Sequence, residues 1–340
     1  MQIAQILEAF FVALVVSYSL IPFIKRLALR FGYLDHPHDN KVHAHPTPLL
    51  GGLAIFFAFL IAVLTKVDLI SSGYVQAMIG GIFILIMIGL IDDKMGMMPN
   101  IKLLGQFLAA LVAIKAGVRI EFFNNYYLDV IFSYLWIIGI TNAFNLLDNM
   151  NGLSAGIAVI SAAFLGTVAY MSGQGMVAAL SFAVAGSALG FLKHNFPKAS
   201  IFMGDAGSLV LGYLLATIAI LASWKTSSWT TSIMIPILIL GYPIFDTTLV
   251  TVVRMLERRS IFQGGKDHSS HRLALLGLKR FRAVLVIYGV CVFLGLAAVT
   301  VTKAYWTTSL VVAFLVFMVM LVLGLRLALV DTKRFGRKKK

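Results

Sequence analysis

The stretch IFILIMIGLIDDK, residues 82–94, decides how the rest of the chain is read. A long apolar run ends in two adjacent carboxylates, Asp92 and Asp93. Neighbouring acids repel each other, and each is costly to desolvate unless a cation or a proton offsets it. The pair therefore marks a place where a bilayer surface meets either plain water or a bound positive charge. Neighbours on a helix point about 100° apart, so one carboxylate is expected to face a cavity while the other caps or meets water.

Composition establishes that a bilayer is involved. The 340 residues are 60% hydrophobic and only 12% charged, with a mean hydropathy of +0.92. No soluble domain has that balance. Backbone groups in lipid must be satisfied within the segment, and the apolar runs lack the alternation of a barrel strand. The fold class is therefore an all-α polytopic integral membrane protein. About eleven apolar segments can be counted, at roughly 3–24, 49–65, 74–91, 102–117, 128–147, 153–171, 175–191, 206–223, 231–252, 283–302 and 307–325. Short connections leave no room for a separate domain, so residues 1–330 are expected to form a single transmembrane domain and 331–340 a basic cytoplasmic tail. The first run is too long for a signal segment and lacks a basic start, which predicts a retained first span. Cys291, the only cysteine, sits in an apolar run and reads as packing.

Charge then orients the chain. Most of its 28 Lys and Arg fall in alternate loops, leaving Lys66, Lys115, Arg119, Lys225 and Lys303 for the other side. By the positive-inside rule the basic side is cytoplasmic, with the N-terminus outside and the C-terminus inside. All seven histidines lie on that side, as do Asp92, Asp93, Asp148, Asp205 and Asp267. A transporter serves both faces and keeps its polar site near the midplane, so one-sided titratable chemistry favours an enzyme or docking protein.

Five constellations carry that chemistry. The loop GYLDHPHDNKVHAHPTPLLGG (32–52) offers Lys41 and His43 to an anion; a solvated basic loop or adventitious metal binding by its histidines are the blander readings. Asp92 and Asp93 form the second. In TNAFNLLDNMNGLSAG (141–156), Asn142, Asn145 and Asn149 share a helix face, with Asp148 and Asn151 beside them. Amides and an acid at a span end suit a polar ligand or a hard-metal shell. In NFPKASIFMGDAGSLVLG (195–212), Asp205 stands at a helix start, where a plain N-cap would look the same. Phe202 is suited either to stack on a base or to anchor at the interface. The last is RMLERRSIFQGGKDHSSHRL (254–273), where arginines surround His268 and His271; binding of anionic lipid headgroups is its bland alternative. Asp246, an acid within a span, is a functional suspect or the structural partner of a loop arginine.

Acids and amides for a hard divalent cation, a basic loop for phosphates and a membrane on one side together describe phosphoryl transfer from a soluble anionic donor to a lipid. With these residues assembled, the chain resembles the polyprenyl-phosphate N-acetylhexosamine-1-phosphate transferases. The resemblance runs from Asp35 to Leu278. It rests on K-x-H-x-x-P-T-P-x-x-G-G at 41–52, Asp92-Asp93, N-A-x-N-x-x-D at 142–148, F-M-G-D-A-G-S at 202–208 and the His268/His271 loop. It implies a single catalytic membrane domain at the cytoplasmic face of a bacterial inner membrane. The implied reaction moves N-acetylhexosamine-1-phosphate, GlcNAc-1-phosphate first, from a UDP-sugar to undecaprenyl phosphate with release of UMP. Mg²⁺ is the implied cofactor, with Mn²⁺ as a substitute. A homodimer is compatible with the resemblance, and no nucleic acid partner is expected.

Carried over by position, the resemblance implies that Asp205 is the principal metal ligand, assisted by Asn145. Asp92 and Asp93 stand near the lipid phosphate. Asn151, Asn195 and Phe202 surround the uridine. His268, His271, Arg258 and Arg259 form the pyrophosphate-and-sugar loop, and Lys41, His43 and Asp148 are further phosphate or sugar contacts. The family's H-I-H-H reads His268-Ser269-Ser270-His271 here, its D-G-x-D-G reads Asp148-Asn149-Met150-Asn151-Gly152, and Leu49 stands where a basic residue is common. These departures bear on the sugar more than on the reaction. The peptidoglycan phospho-MurNAc-pentapeptide transferases are the nearest alternative, though their tripled histidine is missing. A transporter of an anionic nucleotide sugar or lipid, or a lipid-docking scaffold, are the rivals from other classes.

Overall fold

The computed structural model describes residues 3–35, 46–222, 229–261 and 265–332 and is 80% helical. Lys41, His43 and the tail from residue 333 lie outside the described residues. The chain divides into two compact units, Met1–Ser223 and Trp224–Lys340.

The first unit contains α1 (Ile3–Phe31), the two-residue strands β1 (Leu34–Asp35) and β2 (Thr47–Pro48), α2 (Gly51–Leu64), α3 (Val67–Ile70), α4 (Gly73–Met95), α5 (Pro99–Lys115), α6 (Tyr126–Leu147), α7 (Leu153–Met171), α8 (Gly175–Asn195) and α9 (Gly204–Leu221). Its centre is α9. Every residue from Ala206 to Ala219 is buried, because α2, α4 and α6 pack around it, with α7 and α8 adding further contacts. A helix apolar on all sides is what a bundle interior demands. Asp205, in its first turn, is only partly buried.

Close backbone approach makes this packing possible. Apolar helices in lipid associate by van der Waals contact, which favours small residues at crossings. A Cβ at Gly52 would overlap the Gly207 backbone, and one at Gly89 would overlap that of Ala206. The α2 and α4 helices therefore rest directly on the N-terminal turn of α9. Backbone bonds complete the junction: Gly51 and Gly52 donate to the Phe202 and Met203 carbonyls at 3.0 and 2.8 Å, and Phe202 donates to Pro48 at 2.8 Å. The P-T-P-x-x-G-G motif is thereby docked on F-M-G-D-A-G.

The second unit contains α10 (Trp229–Ile239), α11 (Gly241–Leu256), α12 (Ser269–Leu275), α13 (Arg280–Lys303) and α14 (Trp306–Ala328). The α10–α11 pair bends by 72° at its break. The buried face of α11 carries Tyr242, Asp246 and Arg254 among apolar residues.

Each of the apolar segments read from the sequence is helical. Among the described residues, eight helices are long and apolar enough to cross a membrane, or up to nine if the bent pair is one span. The segments at 49–65 and 102–117 form α2 and α5, of 14 and 17 residues. At 1.5 Å per residue these are about 21 and 26 Å long, short of a hydrocarbon core of about 30 Å. The apolar run at 49–65 extends past both ends of α2, whereas α5 begins at Pro99, before its run, and stops at Lys115, inside it.

Gly89→Ala should lower the thermal midpoint of the detergent-solubilised protein by several degrees, in keeping with overpacking costs of about 1–3 kcal/mol. Gly139→Ala, where an added Cβ meets nothing within 4 Å, should leave the midpoint unchanged or raise it slightly.

Candidate active site

Helix ends from distant parts of the first unit meet at one place. The C-terminal turn of α4 brings Asp92 and Asp93, the start of α5 brings Lys102, the last turns of α6 bring Asn145, and the start of α9 brings Asp205. Asp93 addresses α9 directly. Its Oδ1 accepts from the Asp205 N–H at 2.8 Å and its Oδ2 from the Ala206 N–H at 3.3 Å. These are orphan donors at the positive end of a helix, satisfied by a carboxylate from a different helix. Gly204, at φ +75°, makes the approach possible, since a Cβ there would run into the Asp93 carboxylate.

Asp92 faces elsewhere, as helical geometry anticipates. Its Oδ1 accepts from the Met97 N–H at 2.6 Å, closing the turn after α4. Its Oδ2 pairs with the Lys102 ammonium, which pairs in turn with Oδ2 of Asp205. The Asn145 amide donates to Asp205 Oδ1 and to Ser208 Oγ, both at 2.9 Å. One ammonium thus sits between two carboxylates of different helices, with an amide holding the second. Asp148, at the C-terminal cap of α6, is pushed up to about 8, first by burial and then by the charges of Asp205 and Asp93. Among the described residues, four acids share this region with Lys102, so the field there favours cations.

Lys102 is the site residue that sequence reading missed. The available signal was a lone cation just inside the following segment, nine positions after the acid pair.

The residues assigned to the uridine form a neighbouring group. Asn195 is buried, accepting from the Gly152 N–H at 2.6 Å and donating to the Ile201 carbonyl at 2.9 Å. Its amide oxygen and one of its two N–H groups are committed within the protein, so it braces the loop from 196 to 203. Asn151 is exposed and donates to the Pro197 carbonyl at 3.3 Å. Phe202 is partly buried.

In the second unit the His268/His271 loop is framed by α11. The Arg254 guanidinium grips Asp267 with Nε at 2.8 Å and Nη2 at 2.7 Å. Burial opposes the Asp267 charge, but the hydrogen bonds and charge of Arg254 outweigh it and hold that carboxyl below its usual range. His268 Nδ1 lies 2.7 Å from Asp246 Oδ2, so Asp246 partners a loop histidine and not an arginine. Arg272 spans to the last turn of α14, donating to the Leu327, Ala328 and Val330 carbonyls. Arg258 is exposed, at φ +53°. Arg259 pairs with Glu257 at 2.6 Å and Asp267 at 3.2 Å. Burial, then the neighbouring charges of His268, Arg280 and Lys266, push His271 down to about 4.

Asp93→Ala should lower the thermal midpoint without any substrate present, because two N–H groups at the foot of α9 lose their acceptor at about 1–3 kcal/mol. A midpoint unchanged from wild type would remove the capping role. His271 supplies a pH test. In the folded chain it takes a proton only near pH 4, whereas an unfolded histidine does so near 6.5. Between these values the unfolded state binds more protons, so stability should fall as pH drops through that window. His271→Gln should flatten that slope in a thermal-shift series.

The glycosyl transferase family 4 model matches residues 75–223, a span holding Asp92, Asp93, Lys102, Asn145 and Asp205. The chain is 36% identical over 338 residues to a probable undecaprenyl-phosphate N-acetylglucosaminyl 1-phosphate transferase of Bacillus subtilis (strain 168), covering 97% of this chain and 94% of that one. It is 32% identical over 313 residues to the decaprenyl-phosphate N-acetylglucosaminephosphotransferase of Mycolicibacterium smegmatis, covering 81% and 77%. It is 30% identical over 314 residues to a phospho-N-acetylmuramoyl-pentapeptide-transferase of Anoxybacillus flavithermus, covering 83% and 92%. The chain belongs to glycosyl transferase family 4, among the polyprenyl-phosphate N-acetylhexosamine-1-phosphate transferases, and is a multi-pass membrane enzyme of that family.

Proposed function

We propose that this enzyme transfers N-acetylglucosamine-1-phosphate from its UDP-sugar to undecaprenyl phosphate and releases UMP. The step opens the synthesis of a cell-surface polysaccharide at the cytoplasmic face of a bacterial inner membrane. The names of the Bacillus and Mycolicibacterium relatives support the acceptor class and the sugar. The basic loops support the orientation, with the N-terminus outside and the basic side cytoplasmic. The observation that carries the reading is the junction of Asp92, Lys102, Asn145 and Asp205, where carboxylates of two helices converge on a single cationic position.

That donor set fits Mg²⁺. Magnesium is commonly held by one or two carboxylates and the substrate's own phosphates, not by an all-protein cage. Asp205 would hold it, assisted by Asn145, with Asp92 alongside once Lys102 gives up its place between the two carboxylates. When bound, the ion supplies charge neutralisation to the donor diphosphate and the leaving UMP.

The chain's own residues account for the rest. An oxygen of the lipid phosphate forms the new bond to the phosphorus that bears the sugar. The bond from that phosphorus to the UMP oxygen breaks, and the electron pair leaves with UMP. The acceptor is already anionic near neutral pH, so positioning matters more than strong base catalysis. The Lys102 ammonium offers a positive charge to phosphates that would otherwise repel the acids around it. Asp93 keeps α9 seated and Asp205 in register. Asn151, Asn195 and Phe202 serve the uridine, Asn151 from the turn between α6 and α7 and Phe202 from the loop that Asn195 braces. His268, His271, Arg258 and Arg259 are assigned to the pyrophosphate and sugar.

The peptidoglycan reading, with a MurNAc-pentapeptide donor, draws on the Anoxybacillus relative but lacks the tripled histidine. A panel of UDP-GlcNAc, UDP-GalNAc and UDP-MurNAc-pentapeptide with undecaprenyl phosphate and Mg²⁺, read as released UMP, separates the two. UDP-GlcNAc should be the preferred donor. Asp205→Ala should lower its turnover by about a hundredfold or more, as loss of a major electrostatic element does. Near-normal Mg²⁺-dependent UMP release by that variant would exclude the ligand assignment.

A further inference from the structure

Asp246 is a fully buried acid that none of the roles above uses. Among the described residues, the hydrogen bonds of its carboxylate all lead to the start of α12. Oδ1 accepts from the Ser269 N–H at 2.7 Å and from the Ser269 hydroxyl at 2.5 Å. Oδ2 faces His268 Nδ1 at 2.7 Å. The Tyr242 hydroxyl lies 2.5 Å from Ser269 Oγ. Because the Ser269 proton goes to Asp246, Ser269 Oγ accepts from Tyr242, and the chain runs Tyr242 to Ser269 to Asp246. Tyr242, Ser269, Asp246 and His268 are all buried. The carboxylate cannot rotate without stranding the Ser269 N–H.

We propose that Asp246 is the positioning residue for His268, holding the imidazole through Nδ1 so that Nε2 is the nitrogen presented to the donor's phosphates. The proposal rests on the assignment of His268 to the donor given above. An ionised carboxylate only accepts, so the nitrogen facing it must carry hydrogen. That fixes the proton on Nδ1 and dedicates Nε2 to other work, as a partner on one ring nitrogen generally decides the role of the other. The preceding residue is clamped as well, through the Arg254–Asp267 fork, so two successive loop residues are tied to one helix face.

Asp246→Asn tests this with almost no change of shape. Both Ser269 donors require an oxygen, so the amide nitrogen must turn toward His268. Nδ1 then has to accept, and the ring proton moves to Nε2. The readout is nitrogen NMR of the full chain labelled with ¹⁵N-histidine in detergent, with the His268 signal identified by its loss in His268→Gln. Wild type should carry a proton on Nδ1, whether or not Nε2 is also protonated, and Asp246→Asn should carry it on Nε2 alone. With UDP-GlcNAc and undecaprenyl phosphate, Asp246→Asn should lose about 10–100-fold in kcat/KM for the donor, the range typical of removing a partner that orients a functional imidazole. Tyr242→Phe, which spares the carboxylate–imidazole contact, should lose only a few-fold.

A bare Nδ1 in wild type overturns the proposal, and that measurement needs no variant to fold. An unchanged tautomer in Asp246→Asn overturns it too, as does a shifted tautomer with unchanged donor kcat/KM. The tautomer experiment uses no substrate. Absence of UMP release by wild type with every donor would therefore refute the transferase reading while leaving the Asp246–His268 coupling measured on its own.

Discussion

A carboxylate at the foot of a helix that is not its own organises the first unit. Asp93 ends α4, yet its oxygens serve the first N–H groups of α9. This single contact sets the depth of α9 relative to α4 and so places Asp205 beside Asp92. It requires Gly204, because any side chain there would collide with the Asp93 carboxylate. It also requires Gly52 and Gly89, because the same turn is flanked by two backbones at contact distance. Gly52, Gly89 and Gly204 are explained by packing around the first turn of α9 and the carboxylate that caps it.

Bringing acids together in this way creates an electrostatic demand. Asp92 and Asp205 face each other across Lys102, and Asp148 is driven toward its protonated form nearby. In a poorly solvated region like charges cannot be left uncompensated, so the protein must supply, bind or exclude a cation at that place. An ammonium between two carboxylates meets the demand internally. The acids still outnumber that ammonium, which is the electrostatic basis for the divalent ion and the anionic substrates proposed above.

The second unit handles buried polarity differently. Arg254 with Asp267, and Asp246 with His268 and Ser269, are closed pairs in which nearly every polar atom has a defined partner. Such networks rigidify when satisfied and are costly when broken. Ser269 stands where the family pattern has isoleucine. Its hydroxyl inserts into the contact between Tyr242 and Asp246, so this departure adds a link to the network and does not merely dilute the motif.

Much of this molecule was legible in the chain itself. Hydropathy needs no tertiary information to specify membrane helices, because lipid forces each segment to satisfy its own backbone. Every apolar run became helical, and the separated motifs pointed to one family. The exact ends of α2 and α5 were not legible, since hydropathy does not record where a helix starts and stops. The pairing of residues was not legible either. Nothing local distinguishes Asp92, which meets Lys102, from Asp93, which caps α9, or marks Asn195 as a brace and Asp246 as the partner of His268. Those outcomes depend on which helix ends meet, and a contact between residues 112 positions apart is set by packing in three dimensions, which no local pattern encodes.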